Sequence, residues 1–130
     1  MVNERKIRIL AVDHNPLLLE GISLLIGLHA DMELVCSAAS RAEAMECFAQ
    51  YTPDVILMDL DLPSGAGIAA IEEILKHDPS ACIIGLLTYE WDAARLRALR
   101  AGAGACLTKD CLNDELISLI REEAARRRSQ

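Results

Sequence analysis

Two apolar patterns alternate along this sequence, and their alternation limits the folds that the chain can form. Short runs of β-favouring residues are each followed by a segment whose apolar residues recur at helical spacing. The predicted strands are Ile7–Val12, Met32–Ala38, 55–58, 81–87 and 105–107. Parallel strands need a crossover between them, and a helix is the usual crossover. Five such units predict one doubly wound α/β domain, with helices on both faces of a parallel sheet.

The predicted helices begin and end at recognisable residues. Pro16 favours the first turn of a helix, because its fixed backbone angle suits that position. Two later helices are predicted over residues 68–76 and 91–100. We expect Leu96 and Leu99 to lie on the apolar face of the second of these. A length of 130 residues suits one domain of this kind.

Composition excludes several classes of protein. The formal net charge is −7 and aromatic residues make up 3% of the chain, so neither a basic surface nor stacking platforms for nucleic acid are expected. No apolar run is long enough to span a bilayer, so we expect no membrane insertion. The charged start, residues 1–6, does not resemble a secretory signal, which predicts a cytoplasmic protein.

The five cysteines do not form a recognisable motif. Their number is odd, and none of them are arranged as C-x-x-C. In a chain without a secretory signal, we expect reduced thiols, mostly buried in the core.

Polar residues follow the predicted strands where ligands of α/β proteins bind. Asp13 follows the first strand, Asp59 and Asp61 end the third, and Lys109 follows the fifth. Ligands of such sheets bind at the carboxyl ends of the strands, so these side chains are expected to meet. Carboxylates suit a divalent cation such as Mg²⁺, and an ammonium suits the oxygens of an anion. The pattern predicts phosphoryl chemistry, in which positioning and charge neutralisation do most of the work.

Four strand-end motifs carry a resemblance to a known family. Residues 12–13, 55–63, 101–103 and 107–110 resemble the receiver domain of response regulators, in the CheY-like superfamily. The resemblance is closest to receivers of NarL/LuxR-type DNA-binding regulators. It implies a flavodoxin-like fold with five helices and a five-stranded parallel sheet in the order 2-1-3-4-5. It places the receiver domain at residues 1–122, with 123–130 as the end of the last helix and the start of a linker.

The resemblance also implies roles for individual residues. Asp59 matches the phosphorylated aspartate, and Lys109 matches the lysine that contacts the phosphoryl group. Asp13, Asp59 and the backbone carbonyl of Asp61 match the ligands of Mg²⁺. The implied partner is a histidine kinase, and the domain itself is not expected to be an enzyme. Output is expected through homodimerisation or through an attached helix-turn-helix domain, so that DNA would be bound only by a C-terminal domain outside this chain.

Three positions depart from the family pattern. His14 stands where a second metal-binding acid is usual, and imidazole is a poor ligand for Mg²⁺. Counting back from Lys109 without a gap places Leu87 at the usual hydroxyl position, although a shift of one residue would bring in Thr88 instead. Cys106 replaces the usual switch aromatic. These departures predict weakened or atypical phosphorylation.

Two further functions remain open at this point. One is a phosphorylation-independent pseudo-receiver that acts as a dimerisation module. The other is a phosphohydrolase that uses Asp59 as its nucleophile, with Asp61 at the offset where a general acid would stand. The first helix also carries leucines beyond one face, including Leu17, Leu24 and Leu28, and these favour a partner surface and a leucine-rich core helix about equally.

Overall fold

Five strands and five α-helices alternate along residues 5–128, the part of the chain that the computed structural model describes. The strands are β1 (Ile7–Val12), β2 (Met32–Ala38), β3 (Val55–Asp59), β4 (Cys82–Leu87) and β5 (Ala105–Thr108). The helices are α1 (Pro16–Gly27), α2 (Arg41–Tyr51), α3 (Ala66–His77), α4 (Ala93–Ala101) and α5 (Asp114–Arg128). The strict alternation of strand and helix confirms the predicted organisation.

All strand pairs are parallel, and the sheet order is β2-β1-β3-β4-β5. This order confirms the topology that the family resemblance implied. In the register between β1 and β3, Val12 lies beside Met58, so the two strands end at the same level. Asp59 lies beside Leu86 of β4 in the same way. The strand ends that carry the expected site residues therefore lie next to one another at the middle of the sheet.

The sheet separates two apolar layers, as the continuous apolar strands predict. One layer packs the sheet against α2, α3 and α4, and its fully buried members include Leu10, Ile56 and Ile71. The other layer packs the opposite face against α1 and α5, and includes Ile9 and Leu57. Neighbouring residues of one strand thus pack into different layers. Packing on both faces fixes the position of each strand end relative to the helices.

The prediction for the buried face of α4 is wrong. Leu96 is 53% exposed and Leu99 is 41% exposed, whereas Ala94 and Ala98 are buried against the sheet. Small side chains let a helix axis approach the strands closely, so packing selects the alanines over the larger leucines. The helix also begins later than predicted, because Asp92 is its N-cap and accepts a hydrogen bond from the amide of Ala94.

The expectation of reduced cysteines is wrong for one pair. Cys36 of β2 and Cys47 of α2 form a disulfide, with their Cα atoms 6.1 Å apart. The two residues are far outside C-x-x-C spacing, and it is the packing of α2 on β2 that brings them together. Cys82, Cys106 and Cys111 are free thiols, and Cys82 is buried.

The outer side of α1 is apolar. Leu17, Leu24 and Leu28 are between 69% and 79% exposed, while Ile22 and Ile26 face the core. The leucines therefore do not belong to the core, which favours the partner-surface interpretation of this helix. Among the described residues, no helix combines the length and the apolar character that crossing a membrane requires.

Candidate phosphoacceptor and metal site

The expected site residues meet at the carboxyl edge of the sheet. Asp13 directly follows β1, Asp59 is the last residue of β3, and Lys109 directly follows β5. The side chains of Asp13 and Asp59 have no exposed surface, and that of Lys109 is 16% exposed. Burying an unpaired carboxylate costs free energy, so two buried carboxylates beside a lysine indicate a functional polar site.

Lys109 is the cation that these carboxylates share. Its Nζ atom lies 2.9 Å from Asp13 Oδ2, 2.9 Å from Asp59 Oδ1 and 3.5 Å from Asp61 Oδ2. Burial alone would lower the pKa of Lys109, but its close contacts with the carboxylates of Asp59 and Asp13 outweigh burial, and the pKa is raised. The lysine therefore remains an ammonium ion at neutral pH.

Asp59 is held from both of its oxygens. Its Oδ1 accepts hydrogen bonds from Lys109 Nζ at 2.9 Å and from the amide of Asp61 at 2.8 Å. Its Oδ2 lies 2.6 Å from Nδ1 of His14 and also receives the His14 amide at 3.3 Å. Burial would raise the pKa of Asp59, but the hydrogen bonds from Lys109, His14 and Asp61 lower it overall. The side chain is thus an ionised carboxylate, which is the nucleophilic form.

His14 covers the carboxylate from the solvent side. Its side chain is 48% exposed, and its Nδ1 lies 3.8 Å from Asp13 Oδ1 as well as 2.6 Å from Asp59 Oδ2. A side chain at this place shields the oxygen that an incoming phosphoryl group would approach. Access to Asp59 Oδ2 therefore requires the imidazole to turn away.

Asp13 has one fixed oxygen and one that lacks a hydrogen bond. Its Oδ1 accepts the amide of Asn15 at 2.8 Å. Its Oδ2 is buried and has no hydrogen-bond partner among the described residues, although the Lys109 ammonium lies 2.9 Å away without hydrogen-bond geometry. The Lys109 ammonium neutralises this oxygen as an ion pair, and the carboxylate oxygens of Asp13 and Asp59 are of the kind that Mg²⁺ takes as ligands. Asp13, His14 and Asp59 each offer one ligand atom, and these atoms lie within 4.8 Å of one another.

Thr88, rather than Leu87, brings a hydroxyl to the site. Leu87 is fully buried in the layer that contains α3 and α4. Thr88 donates its hydroxyl to Asp61 Oδ2 at 2.7 Å and its amide to the same oxygen at 3.0 Å. That oxygen is also the one near Lys109. The structure thus brings the Thr88 hydroxyl next to the charged group, whereas Leu87 stays in the core.

Cys106 lies away from this cluster. It is partly buried beside Gly85 in the register of β4 and β5, and its thiol contacts the carbonyl of Arg95 in α4. Burial raises the pKa of its thiol. A thiol stands at this position, between β5 and α4, in place of the aromatic ring that the family pattern leads one to expect.

Two features of the site had only indirect signals in the sequence. The bond between His14 and Asp59 depends on a side-chain rotamer, and the sequence shows only that an imidazole follows Asp13. The carboxylate of Asp61 binds Thr88, whereas the resemblance assigned a role only to its backbone carbonyl. The sequence signal for the contact with Asp61 was the position of Thr88, a hydroxyl residue directly after the buried strand β4.

The comparisons with known proteins identify the family of this chain. The model of the response regulator receiver domain matches residues 9–121. The chain is 36% identical over 123 residues to the uncharacterized transcriptional regulatory protein YxjL of Bacillus subtilis, covering 95% of this chain and 56% of that protein. It spans about half the length of the curated relatives it matches.

Among the similar solved structures are two that share more than 30% identity with this chain. A LuxR-family two-component response regulator from Aurantimonas sp. is 34% identical, with a TM-score of 0.86 over 92% of this chain and 86% of that chain. The response regulator domain of CheB from Thermotoga maritima is 32% identical, with a TM-score of 0.84 over 93% and 98% of the two chains. Because the family model covers residues 9–121 and similar solved structures share the fold, the chain belongs to the response regulator receiver domain family.

Proposed function

We propose that this domain receives a phosphoryl group on Asp59 from a histidine kinase and transmits that event through protein contacts. The observation that carries the proposal is the ionised, fully buried carboxylate of Asp59, held between Lys109 and His14 beside Asp13. The family model supports the same assignment, because it covers this whole cluster. We expect a protein of signal transduction rather than an enzyme with a small-molecule product.

The transfer needs little from the protein beyond position and charge. A bond forms between Asp59 Oδ2 and the phosphorus of a phosphohistidine, and the phosphorus–nitrogen bond breaks with its electron pair left on the donor ring. Lys109 stands where its ammonium neutralises charge on the phosphoryl oxygens. A divalent cation, when bound by Asp13, Asp59 and the carbonyl of Asp61, would reduce the repulsion between the two anions.

We expect His14 to slow the transfer of the phosphoryl group to Asp59. Its imidazole replaces a carboxylate ligand, which weakens Mg²⁺ binding, and it also occupies the approach to Asp59 Oδ2. Thr88 supplies the hydroxyl near the transferred group, through the oxygen of Asp61 that it shares with Lys109. We infer an atypical receiver in which the acceptor is retained and its activation is weakened.

The output of the domain is proposed to be a change in association. Three exposed leucines support an apolar contact with a second protein, either the kinase or a second copy of the chain: Leu17 and Leu24 of α1, and Leu28 directly after it. The curated relatives are roughly twice as long as this chain, and several are named as transcriptional regulators. An attached helix-turn-helix domain would then bind the DNA, since this domain is acidic.

Incubation with acetyl phosphate and Mg²⁺, followed by intact-mass spectrometry, tests the proposal. We expect a fraction of the protein to gain the mass of one phosphoryl group, and Asp59→Ala to abolish the gain. Asp114→Asn, which removes an exposed carboxylate at the start of α5, is the control and should behave like the natural sequence. Labelling that persists in Asp59→Ala would refute the assignment of the acceptor.

The mass measurement, together with an assay of phosphate release, distinguishes two other functions. The pairing of both Asp59 oxygens favours a phosphorylation-independent dimerisation module as the second candidate, because hydrogen-bonded oxygens are weaker nucleophiles toward phosphorus. That candidate predicts no mass gain at any metal concentration. A phosphohydrolase with Asp59 as its nucleophile predicts continuous phosphate release from a small phosphate ester, with loss of that release in Asp59→Ala.

A further inference from the structure

A disulfide joins the edge of the sheet to the helix that covers it. Cys36 lies in β2, an edge strand, and Cys47 lies in α2, eleven residues further along the chain. Their Cα atoms are 6.1 Å apart, which is an ordinary separation for a disulfide. The other three of the five cysteines are free thiols. The structure therefore contains a thiol–disulfide pair outside the cluster around Asp59.

A β-bulge in β2 turns Cys36 toward α2. The register of β2 against β1 skips Val35, because two successive residues of β1 pair with Leu34 and Cys36. Before the bulge, Leu34 packs in the layer of α1 and α5, whereas Cys36 after it packs in the layer of α2. In a regular strand, residues two apart would face the same layer. The bulge is thus the feature that brings Cys36 to Cys47.

The contact between α2 and the sheet does not depend on the disulfide. Ala44 and Phe48 of α2 are buried in the same layer. At the start of the helix, Ser40 accepts the amide of Glu43, and the Glu43 carboxylate accepts a backbone amide in return. A domain of 130 residues can bury enough apolar surface to fold without a crosslink. We therefore expect the domain to be folded in both redox states, which a reversible switch requires.

The disulfide lies close to a backbone contact of the acceptor site. The carbonyl of Ala38 accepts a hydrogen bond from the amide of Asp13 at 3.0 Å. Ala38 is only two residues after Cys36, within the loop that the bond to Cys47 closes. A crosslink that restrains this loop restrains the Ala38 carbonyl as well. The redox state of the pair can therefore reach the backbone of Asp13 through one hydrogen bond.

We propose that Cys36 and Cys47 form a redox switch that sets the backbone order of the acceptor site. In the oxidised state, the disulfide fixes α2 to β2 and holds the Ala38 carbonyl against the amide of Asp13. In the reduced state, this end of β2 is less restrained. The co-reactant is a small thiol–disulfide couple of the glutathione class. Regulation of Asp59 by the switch rests on the proposed function, whereas the effect on the Asp13 backbone does not.

Reduction begins at the more accessible sulfur. Cys36 is partly exposed at the sheet edge, whereas Cys47 is 9% exposed. A small thiolate attacks Cys36 Sγ, and the bond between the two protein sulfurs breaks with its electron pair on Cys47 Sγ, which takes a proton. A second small thiolate attacks the small molecule's sulfur in this mixed disulfide and releases Cys36, which takes the other proton. Two electrons and two protons thus pass from two small thiols to the protein, and the small disulfide leaves.

Equilibration of the folded chain with glutathione buffers of graded redox ratio tests the reversibility. The reaction is quenched with acid, and the free thiols are alkylated in denaturant and counted by intact-mass spectrometry. We expect three alkylated cysteines in the oxidised protein and five in the reduced protein, with full reversal by oxidised glutathione. By circular dichroism, the reduced protein should be folded and should melt about 5–10 °C lower.

NMR relaxation of backbone amides tests the link to the acceptor site, without a phosphoryl donor. We expect the order parameter of the Asp13 amide to fall from about 0.85 in the oxidised protein to below about 0.75 in the reduced protein. The Leu60 amide donates to the carbonyl of Leu86 at 2.8 Å, on the other side of β3. It is the internal control and should keep the same order parameter in both states.

Variants assign the response to the pair. The double variant Cys36→Ala/Cys47→Ala should have the Asp13 order parameter of the reduced protein at every glutathione ratio. Cys111→Ala removes a partly buried free thiol beyond β5 and should keep the full redox response. Circular dichroism checks that each variant is folded.

Three results would overturn the proposal: a disulfide that glutathione does not reduce in the folded protein, a reduced protein that unfolds, or an equal order parameter of the Asp13 amide in both states. The redox response and the phosphorylation of Asp59 are measured separately. A redox-dependent Asp13 amide without a mass gain from acetyl phosphate would retain the switch and reject the proposed function. A mass gain with an Asp13 amide that ignores the redox state would do the reverse.

Discussion

Leu87 and Thr88 are neighbours in the chain with opposite environments. Leu87 is fully buried among apolar residues of α3 and α4, and the next residue, at the end of β4, directs its hydroxyl to Asp61. A strand alternates its side chains between two faces, and a residue that follows the strand is released from that alternation. The hydroxyl at this site therefore comes from a loop residue that follows the strand.

Substitutions at these two positions should have different effects. Thr88→Val keeps the shape and removes one hydrogen bond, so we expect a loss of about 1 kcal/mol in the free energy of unfolding and a slower mass gain from acetyl phosphate. Leu87→Thr buries an unpaired hydroxyl and should cost about 2–3 kcal/mol. Urea denaturation followed by circular dichroism measures both. A smaller cost for Leu87→Thr than for Thr88→Val would contradict this account of the two environments.

At the scale of elements, α3 begins unusually close to the end of β3. Gly67 lies in the first turn of α3, and a Cβ atom at this position would overlap the carbonyl oxygen of Asp59. The start of α3 can therefore lie this close to the end of β3 only if residue 67 is glycine. Gly21, on the exposed side of α1, has no heavy atom within 4 Å of an added Cβ.

These two glycines form a matched pair of tests. Gly67→Ala should push α3 away from β3, lower the free energy of unfolding by about 2 kcal/mol or more, and reduce phosphorylation of Asp59. Gly21→Ala adds a methyl group in open space and removes backbone freedom of the unfolded chain, so it should raise stability by about 0.5–1 kcal/mol. Denaturant titrations of the two variants give opposite signs if the close approach is correctly described. Equal effects would count against it.

For the whole molecule, the alternation of strands and helices was enough to predict a doubly wound α/β domain, and the resemblance to receiver domains supplied the strand order. The observed ends of β2, Met32 and Ala38, are those that the sequence predicted. The buried face of α4 was not predictable by the same reasoning, since hydrophobicity favours Leu96 and Leu99 over the alanines that the close packing selects. That choice depends on the distance between helix and sheet, which no local pattern contains.

The candidate site was predictable to a similar degree. Asp13, Asp59 and Lys109 were expected together because parallel strands end at one edge. The contact of His14 with Asp59 follows from side-chain rotamers and from the tertiary position of the loop after β1, neither of which the sequence pattern contains.

Acid should destabilise the whole fold through a few paired carboxylates. Hydrogen bonds from Ser80 and Arg127 outweigh the effect of burial and lower the pKa of Asp78, and Asp31 and Asp59 also have lowered pKa values. A group whose pKa is lower in the folded state stabilises the fold above its ordinary pKa, and that stabilisation is lost as the pH falls toward the folded pKa. We therefore expect the free energy of unfolding to decline below about pH 4.

The variant Asp78→Asn measures how much of the decline in the free energy of unfolding comes from Asp78. Asp78→Asn should be less stable at pH 7 by about 1 kcal/mol and should lose less stability between neutral and acid pH than the natural sequence does. Thermal melts followed by circular dichroism at several pH values measure this difference. Glu90→Gln, at an exposed loop position, should keep the natural pH dependence, and identical curves for all three proteins would remove Asp78 from the explanation.

The exposure of Trp91 has a practical consequence for spectroscopy. This residue is the sole tryptophan of the chain, lies in the segment between β4 and α4, and is 92% exposed. Its indole is in contact with water in the folded protein, as it is in an unfolded chain, so its emission should change little when the core melts. Intrinsic fluorescence of this protein would therefore report on contacts made by the β4–α4 segment, while global unfolding has to be followed through the backbone.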